Sequence, residues 1–561
     1  MCGHYRLFLI VLSMLATLPT FAFAQTPRTP GSADPGRIDR RLQEAPQSVP
    51  TESLLPRSPL PEQTLPKGAA GVTFTLETLD IVGATQLTAA DINNKAGHLL
   101  GQQVKLGDIV RIAAELTRIY HSRGYTFSRV ILPEQDIHNG RVVLKAVEGY
   151  ISQVATEGTY ADHPFLLAAA ARLKELKPLH GPTLEHELLL LRSIPGLDVR
   201  TVLDADTAAG PGALKLTFKT STSTPITVAA FDTYGSRFAG PAQASLLHVQ
   251  PGSYHAPGKT EVLFSSAVPQ DEMVFASITH SRLMTDSGGV MDMRLMANAI
   301  EPGHSLESFD IFSRAQSASV MWHQPVYLQR ARSVSAFAGL DILDTRSKFS
   351  GGTLYNDRLR VIRAGWSLQN NSFRNSSQLA TFTVSQGINL WNSSRGGSTN
   401  LSRADGSGLF TKVELQTEHV QYLTEDVTLA ANLNGQYAFR GLLSSEEIGF
   451  GGSRMGRAYD SAEFSGDSGI TGSLETRWDI GQWGKTTVVP YAFVDAAKLW
   501  ERDGSLRDAF AASAGAGVRL FSADRMNINL SMAVPINRPK GAPKLGNGKS
   551  PNVYIGMQFK L

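Results

Sequence analysis

Val427-Thr428-Leu429-Ala430-Ala431-Asn432-Leu433-Asn434-Gly435-Gln436-Tyr437 is the stretch on which the fold turns. The apolar residues Val427, Leu429, Ala431, Leu433 and Tyr437 alternate with Thr428, Asn432, Asn434 and Gln436, so one face suits lipid and the other water. The same split recurs with Ala380, Phe382 and Val384 against Thr381, Thr383 and Ser385. It returns with Met526, Ile528, Leu530, Met532 and Val534 against Asn527, Asn529 and Ser531. A soluble sandwich also alternates, so one such segment decides little. Many of them, with second faces of Asn, Gln, Ser and Thr behind an export signal, favour a transmembrane β-barrel over residues 222–561.

That export signal is Met1–Ala24, with Arg6 at its start, an apolar run from Leu7 to Leu18 and the small-x-small ending Ala22-Phe23-Ala24. The run is too short for the roughly 20 residues that span a bilayer as a helix, which predicts a cleaved signal peptide. The single cysteine, Cys2, falls inside it, so the mature chain is expected to hold no disulfide, thiolate metal site or cysteine nucleophile. No later window approaches 18 apolar residues, and membrane residence would require a barrel. Over 561 residues, 53 Lys+Arg nearly balance 50 Asp+Glu, which argues against a nucleic-acid binder. The length suits several domains, or one barrel with smaller attachments.

Residues 25–70 are Pro-rich and read as an extended tether, with one island at Asp34–Glu44. There Asp34 can cap and Pro35 can open a short helix bearing Ile38, Arg41 and Leu42. Residues 71–149 then follow the order strand, helix, helix, strand, strand. The strand runs through Phe74 to Ile81, the helices over Ala89–Ala96 and Leu106–Ser122, and the last two strands over Tyr125–Leu132 and Arg141–Val147. Residues 150–221 repeat that order, with helices at His163–Leu173 and Thr183–Ser193 and a Pro195-Gly196 break.

Within the first repeat, Tyr120-x-x-Arg123-Gly124-Tyr125 is followed by Leu132-Pro133-x-Gln135-x-Ile137-x-x-Gly140 and by Glu148-Gly149. This set resembles the polypeptide-transport-associated (POTRA) domain of two-partner secretion transporters. The second repeat, with its leucine-rich helix ending Ile194-Pro195-Gly196-Leu197, is similar to that family's second such domain. Gly451-Gly452-Ser453-Arg454-Met455-Gly456-Arg457-Ala458-Tyr459 resembles the family's long extracellular loop, which folds back into the barrel. Phe493-Val494-Asp495-Ala496-Ala497 resembles its Phe-x-Asp-x-Gly wall strand, with Ala497 at the final glycine. The closing set Val553, Ile555, Met557, Phe559 and Leu561 resembles the terminal strand by which such barrels are recognised for assembly, although the family usually ends on an aromatic residue.

The resemblance implies 16 strands, or roughly 21 residues for each strand and its connection, of which about 10 span the membrane. It also implies an Arg457–Asp495 contact inside the lumen, with Tyr459 and Phe493 beside it, and a short N-terminal helix occupying the pore at rest. The implied function is an outer-membrane pore with its POTRA domains in the periplasm. They would capture one unfolded exoprotein of the haemolysin or adhesin type, which crosses to the cell surface without nucleotide hydrolysis. Outer-membrane lipids and the barrel assembly machinery are the other implied partners, with no nucleic acid and no cofactor. A related outer-membrane insertase, or a solute porin with a periplasmic extension, stand as alternatives.

Signals of catalysis are weak. Gly466-Asp467-Ser468-Gly469 is followed by Ile470 where a serine-protease motif needs glycine, and Gly548-Lys549-Ser550 has Pro543 where a phosphate-binding loop needs one. The 13 histidines show no metal-ligand spacing, so no catalytic or metal residues are assigned. The expected organisation is a signal peptide (1–24), an N-terminal segment (25–46), a linker (47–70), two POTRA domains (71–149 and 150–221) and the barrel (222–561).

Overall fold

The computed structural model describes residues 31–38, 71–253, 256–268, 272–371, 375–502, 509–522, 525–539 and 551–561. The signal segment, the linker and the candidate plug residues Arg41 and Leu42 lie outside them.

The first small module contains β1 (Thr73–Thr75), β2 (Thr78–Val82), α1 (Ala89–Ala96), β3 (Gln103–Lys105), α2 (Leu106–Ser122), β4 (Arg129–Ile131) and β5 (Arg141–Val147). Helix α1 begins at a reciprocal cap, in which Thr88 accepts from the Asp91 amide and Asp91 accepts from that of Thr88. The α2 stripe of Ile109, Ile112, Ala113, Leu116 and Tyr120 is buried, in one core with Val142, Leu144 and Ala146.

Two strands differ from the sequence reading. The run from Phe74 to Ile81 is split, because the chain changes partners at Leu76: β1 pairs with β3, whereas β2 pairs in parallel with β5. The alternation Tyr125–Leu132 yields only the three-residue β4. Phe127 leaves the ladder to enter the core of the second module, and the Ser128 hydroxyl accepts from the Gly149 amide at 3.1 Å.

The second module comprises β6 (Tyr150–Gly158), α3 (Pro164–Lys174), α4 (Gly181–Arg192), β7 (Leu197–Ala205) and β8 (Ala213–Thr222), with sheet order β6-β8-β7.

Strands β9 (Ile226–Asp232), β10 (Gln243–Ser253), β11 (Ala256–Ala267), β12 (Met273–Leu283), β13 (Val290–Ile300), β14 (Ile311–Leu328), β15 (Arg332–Phe349) and β16 (Gly352–Asn370) form one half of a closed antiparallel barrel. The other half begins with β17 (Ser376–Gly387), β18 (Thr411–Tyr422) and β19 (Val427–Ala438). Next come the loop strands β20 (Ile448–Phe450) and β21 (Phe464–Gly466), then β22 (Ser468–Trp478), the two-residue β23 (Gln482–Trp483), β24 (Thr486–Trp500), β25 (Ala509–Ser522), β26 (Met526–Asn537) and β27 (Asn552–Lys560). Setting aside β23, a hairpin extension, and the loop pair β20–β21, the wall has sixteen strands. Strands β14, β15 and β16, at 18, 18 and 19 residues, far exceed the roughly 10 that cross a bilayer, so they project beyond it.

Alternation maps onto the two faces of the wall. Leu433, Tyr437, Val384 and Met532 are exposed on the outside, while Asn432, Asn434, Thr381 and Thr383 line an internal cavity. The barrel closes between β27 and β9 over five residue pairs, Gly556↔Asp232 to Lys560↔Val228. The second module sits on the short-turn rim: Tyr160 Oη lies 3.4 Å from the Gly252 carbonyl, and His186 Nδ1 lies 3.1 Å from that of Leu328. The loop joining β19 to β22 leaves from the opposite rim.

Candidate functional site: a lumen loop tied to the barrel wall

Residues 439–467 between β19 and β22 turn inward through the β20–β21 hairpin. Gly451 allows the reversal, since its φ of +125° is closed to most side chains and a Cβ there would lie 2.0 Å from the Asp460 carbonyl oxygen. The tip delivers Arg457 onto a block of inward-facing wall residues set by strand register. Ser473 on β22 pairs with Asp495 on β24, Asp495 pairs with Ser513 on β25, and Glu475 stands opposite Phe493.

Arg457 Nη2 lies 2.9 Å from Asp495 Oδ1 and donates to Ser473 Oγ at 2.8 Å, while Nη1 lies 2.6 Å from Glu475 Oε2. The guanidinium carbon stands 3.3 Å from the Phe493 ring centroid, a cation–π contact within a buried site. Asp495 also accepts the backbone N–H groups of Gly456 and Arg457 at 3.1 and 3.0 Å, so the carboxylate holds the tip's main chain as well as its charge. Glu475 is shared, receiving Arg477 at 2.7 Å and Arg519 at 2.8 Å.

Tyr459 is fully buried against Phe450 and Phe464, with its hydroxyl 2.9 and 2.7 Å from the carbonyl oxygens of Ala512 and Asn537. Ala497 belongs to the same apolar cluster, so its methyl group has a packing place. Glu475, Ser473 and Ser513 were not anticipated from sequence. Ser473 and Glu475, two positions apart on one strand face, carried the only local signal for them.

In the first module the motif residues act on its frame. Glu148 Oε1 receives the Tyr120 hydroxyl at 2.6 Å and the Thr85 amide at 2.7 Å. Burial, reinforced by that carboxylate, raises the Tyr120 pKa. Gln135 pairs with the Val143 main chain through both ends of its amide, at 2.7 and 2.9 Å, and Pro133 lies just before it. Gly140 adopts φ +67° where a Cβ would lie 2.2 Å from the Thr75 carbonyl oxygen. Gly124 and Tyr125 meet the second module: the Gly124 carbonyl accepts from the Gly181 amide at 2.8 Å, and the Tyr125 ring lies 5.3 Å from that of His180. On α1, the Arg123 hydrogen bond to Asp91, with help from Thr88, lowers the Asp91 carboxyl to about 2.

Comparison with known proteins matches residues 74–149 to the POTRA domain of the ShlB type and residues 302–520 to the haemolysin secretion/activation protein family ShlB/FhaC/HecB. The chain belongs to the two-partner secretion transporters. It is similar to the outer membrane transporter CdiB of Dickeya dadantii, at 24% identity over 495 residues and 84% of each chain. It is also similar to the heme/hemopexin transporter protein HuxB of Haemophilus influenzae, at 20% over 92% of this chain and 94% of that one. Similarity to CdiB of Escherichia coli is local, 31% over 137 residues, which is 24% of this chain and 21% of that protein. The solved CdiB structure from Escherichia coli shares the fold at a TM-score of 0.69 and 17% identity, covering 90% of this chain and 94% of that one. As a member of this family the chain is an outer-membrane transporter.

In this transporter the base of the loop makes a second set of buried ion pairs. Glu446 lies 2.6 Å from Arg363 of β16 and 2.9 Å from Lys412 of β18. Glu447 lies 2.8 Å from Arg403, on the β17–β18 connection, and 2.8 Å from Arg37 of the N-terminal segment. That segment lies inside the barrel. Asp34 caps a helical turn at residues 35–38 by accepting from the Gly36 amide at 2.8 Å, and Asn298 donates to the Pro35 carbonyl at 2.8 Å. Ile38 packs with Ala267, Met273, Phe275, Met296 and Ile300. Arg37, Arg363, Glu446 and Glu447 all face a cavity of roughly 1030 Å3 within the lumen.

Proposed function

We propose that this transporter is the pore half of a secretion pair: it receives one large exoprotein unfolded in the periplasm and passes it to the cell surface without nucleotide hydrolysis. The observation that carries this reading is how the lumen is filled. A sixteen-strand wall is too wide for its own side chains to close. The space holds instead an N-terminal turn and a loop, each fastened by side-chain ion pairs that can break and re-form.

Both modules sit on the short-turn side, which we assign to the periplasm. Their sheets end in β4 and β7, each paired on one side only among the described residues, so an extended client segment can add there as a further strand. The outward apolar band meets outer-membrane lipid, and the closing strand β27, with Val553, Ile555, Met557 and Phe559 on one face, is read by the barrel assembly machinery. Direction comes from the client folding outside.

The test is export in cells and in vesicles. A neighbouring signal-bearing exoprotein should reach the medium only when this chain is present, and should cross proteoliposomes holding the purified chain without nucleotide on either side. Export independent of the chain, or dependent on ATP, would defeat the proposal.

A further inference from the structure

Arg37 sits in a site that fits a guanidinium group rather than a generic cation. Its Nε donates to the Ser444 carbonyl at 2.7 Å, its Nη2 reaches the same carbonyl, and Nη2 lies 2.8 Å from Glu447 Oε2. One carbonyl and one carboxylate thus take two donors of the planar fork, a geometry an ammonium cannot reproduce. Gly449 lets the loop approach closely on the far side, since a Cβ there would lie 2.8 Å from Ala462 Cβ and 3.3 Å from Arg37 Nη1. Glu447 is held in place from behind by Arg403 at 2.8 Å and the Ser465 hydroxyl at 2.9 Å, so the receptor is built into the loop whether or not Arg37 is present. Both Arg37 and Glu447 border the lumen cavity, while Ser444 is buried behind them as long as Arg37 is in place.

The resident ligand is buried but joins no sheet. Besides those of Arg37, its contacts include Ser236 donating to the Ser32 carbonyl at 2.7 Å, Asn298 donating to the Pro35 carbonyl, and the packing of Ile38. Withdrawing Arg37 without replacement would remove one of the cations paired to a buried carboxylate. Exchanging it for a second guanidinium keeps the pair intact, so exchange is favoured over simple departure.

We propose that Ser444 and Glu447 form a receptor for an arginine side chain of the incoming polypeptide, with Arg37 as the internal occupant that this arginine displaces, releasing the N-terminal segment. This rests on reading the chain as a polypeptide pore. A ligand that binds only the released state shifts the population toward it.

The experiment is single-channel recording of the purified full chain in planar bilayers, with argininamide as probe and citrullinamide and lysinamide as controls. Saturating argininamide should raise the open fraction of the wild type by about tenfold, one decade of an equilibrium constant, with little response to either control. Arg37→Gln, a change in the segment rather than in the wall, should start at the raised level and not respond. A chain lacking residues 25–46 should start at the raised level and be insensitive.

If argininamide leaves the wild type unchanged, or acts equally on Arg37→Gln, the receptor is refuted. If the deletion opens the channel while argininamide does nothing, only the receptor fails. If the deletion itself conducts like the wild type, it is the reading of a plugged pore that fails.

Discussion

Neutralising Arg457 isolates the worth of the loop anchor. Arg457→Gln keeps the approximate shape of the side chain but removes the contacts to Asp495 at 2.9 Å and Glu475 at 2.6 Å and the stacking on Phe493. Breaking a buried pair by removing one partner costs about 3–5 kcal/mol, because the other charge stays behind. Asp495 keeps some compensation from the two backbone N–H groups at the tip and from Ser513 at 3.3 Å, and Glu475 keeps Arg477 and Arg519, so the lower end applies.

The assay is digestion of the 439–467 loop by thermolysin, which does not depend on arginine, in purified protein in lipid nanodiscs. When opening is fast relative to cleavage, the rate tracks the population of released loop, so about 3 kcal/mol accelerates cleavage roughly a hundredfold. Cleavage within about threefold of wild type would place the loss below 1 kcal/mol and refute the anchor.

Exchanging the charges as Arg457→Asp with Asp495→Arg should leave export well below wild type, because Glu475 would then face the new aspartate; adding Glu475→Gln should recover part of it, and no gain from that third change in a secretion assay would contradict the shared network. Deleting residues 25–46 should raise single-channel conductance, and an unchanged conductance would remove the N-terminal segment from the pore's resting state. Among the described residues the lumen cavity is lined by seven carboxylates, including Glu261, Asp292 and Glu418, and four arginines, so reversal potentials in a KCl gradient should show cation preference; anion preference would contradict the charge count. The folded pKa of Asp91, about 2, lies below its ordinary 3.8, so its stabilising contribution is present above 3.8 and lost as pH falls toward 2. Asp91→Asn should therefore lose less thermal stability of the helical far-UV signal over that interval than the wild type does, and equal losses would refute the assignment.

The barrel was readable because its constraint is local: each wall strand must show lipid one face and the lumen the other, and Val427–Tyr437 carries that demand in its own order of residues. Helix α2 was readable for the same reason, with its apolar stripe and the Gly124 stop after it. What escaped were partnerships without local signature. Arg37 and Glu447 are 410 positions apart, and neither has a neighbour in sequence that marks it. The shortening of the Tyr125–Leu132 strand escaped likewise, because Phe127 is claimed by a core formed of residues from the second module. The contact between Arg457 and Asp495 was anticipated only through resemblance, whereas Glu475, which divides the same guanidinium, lay outside the matched motifs.

The two sets of ion pairs differ in what they hold, and on the proposed function this would order the events of opening. The tip set around Arg457 joins the loop to β22 and β24, with the Tyr459 hydroxyl reaching Ala512 of β25, while the base set around Glu446 and Glu447 joins it to β16, β18 and the β17–β18 connection. The loop is therefore a strap fixed at both ends across the lumen. Among the described residues, the N-terminal segment joins the base set through the Arg37–Glu447 pair. Its departure leaves Glu447 bound to Arg403 and leaves every contact of Arg457 intact, so the segment can go while the strap stays. The converse does not hold: moving the loop base takes the Ser444 carbonyl and Glu447 away from Arg37 together. Opening by the shortest route thus begins with the segment, and the conductance gained by deleting it should be smaller than that gained by deleting the segment and adding Arg457→Gln.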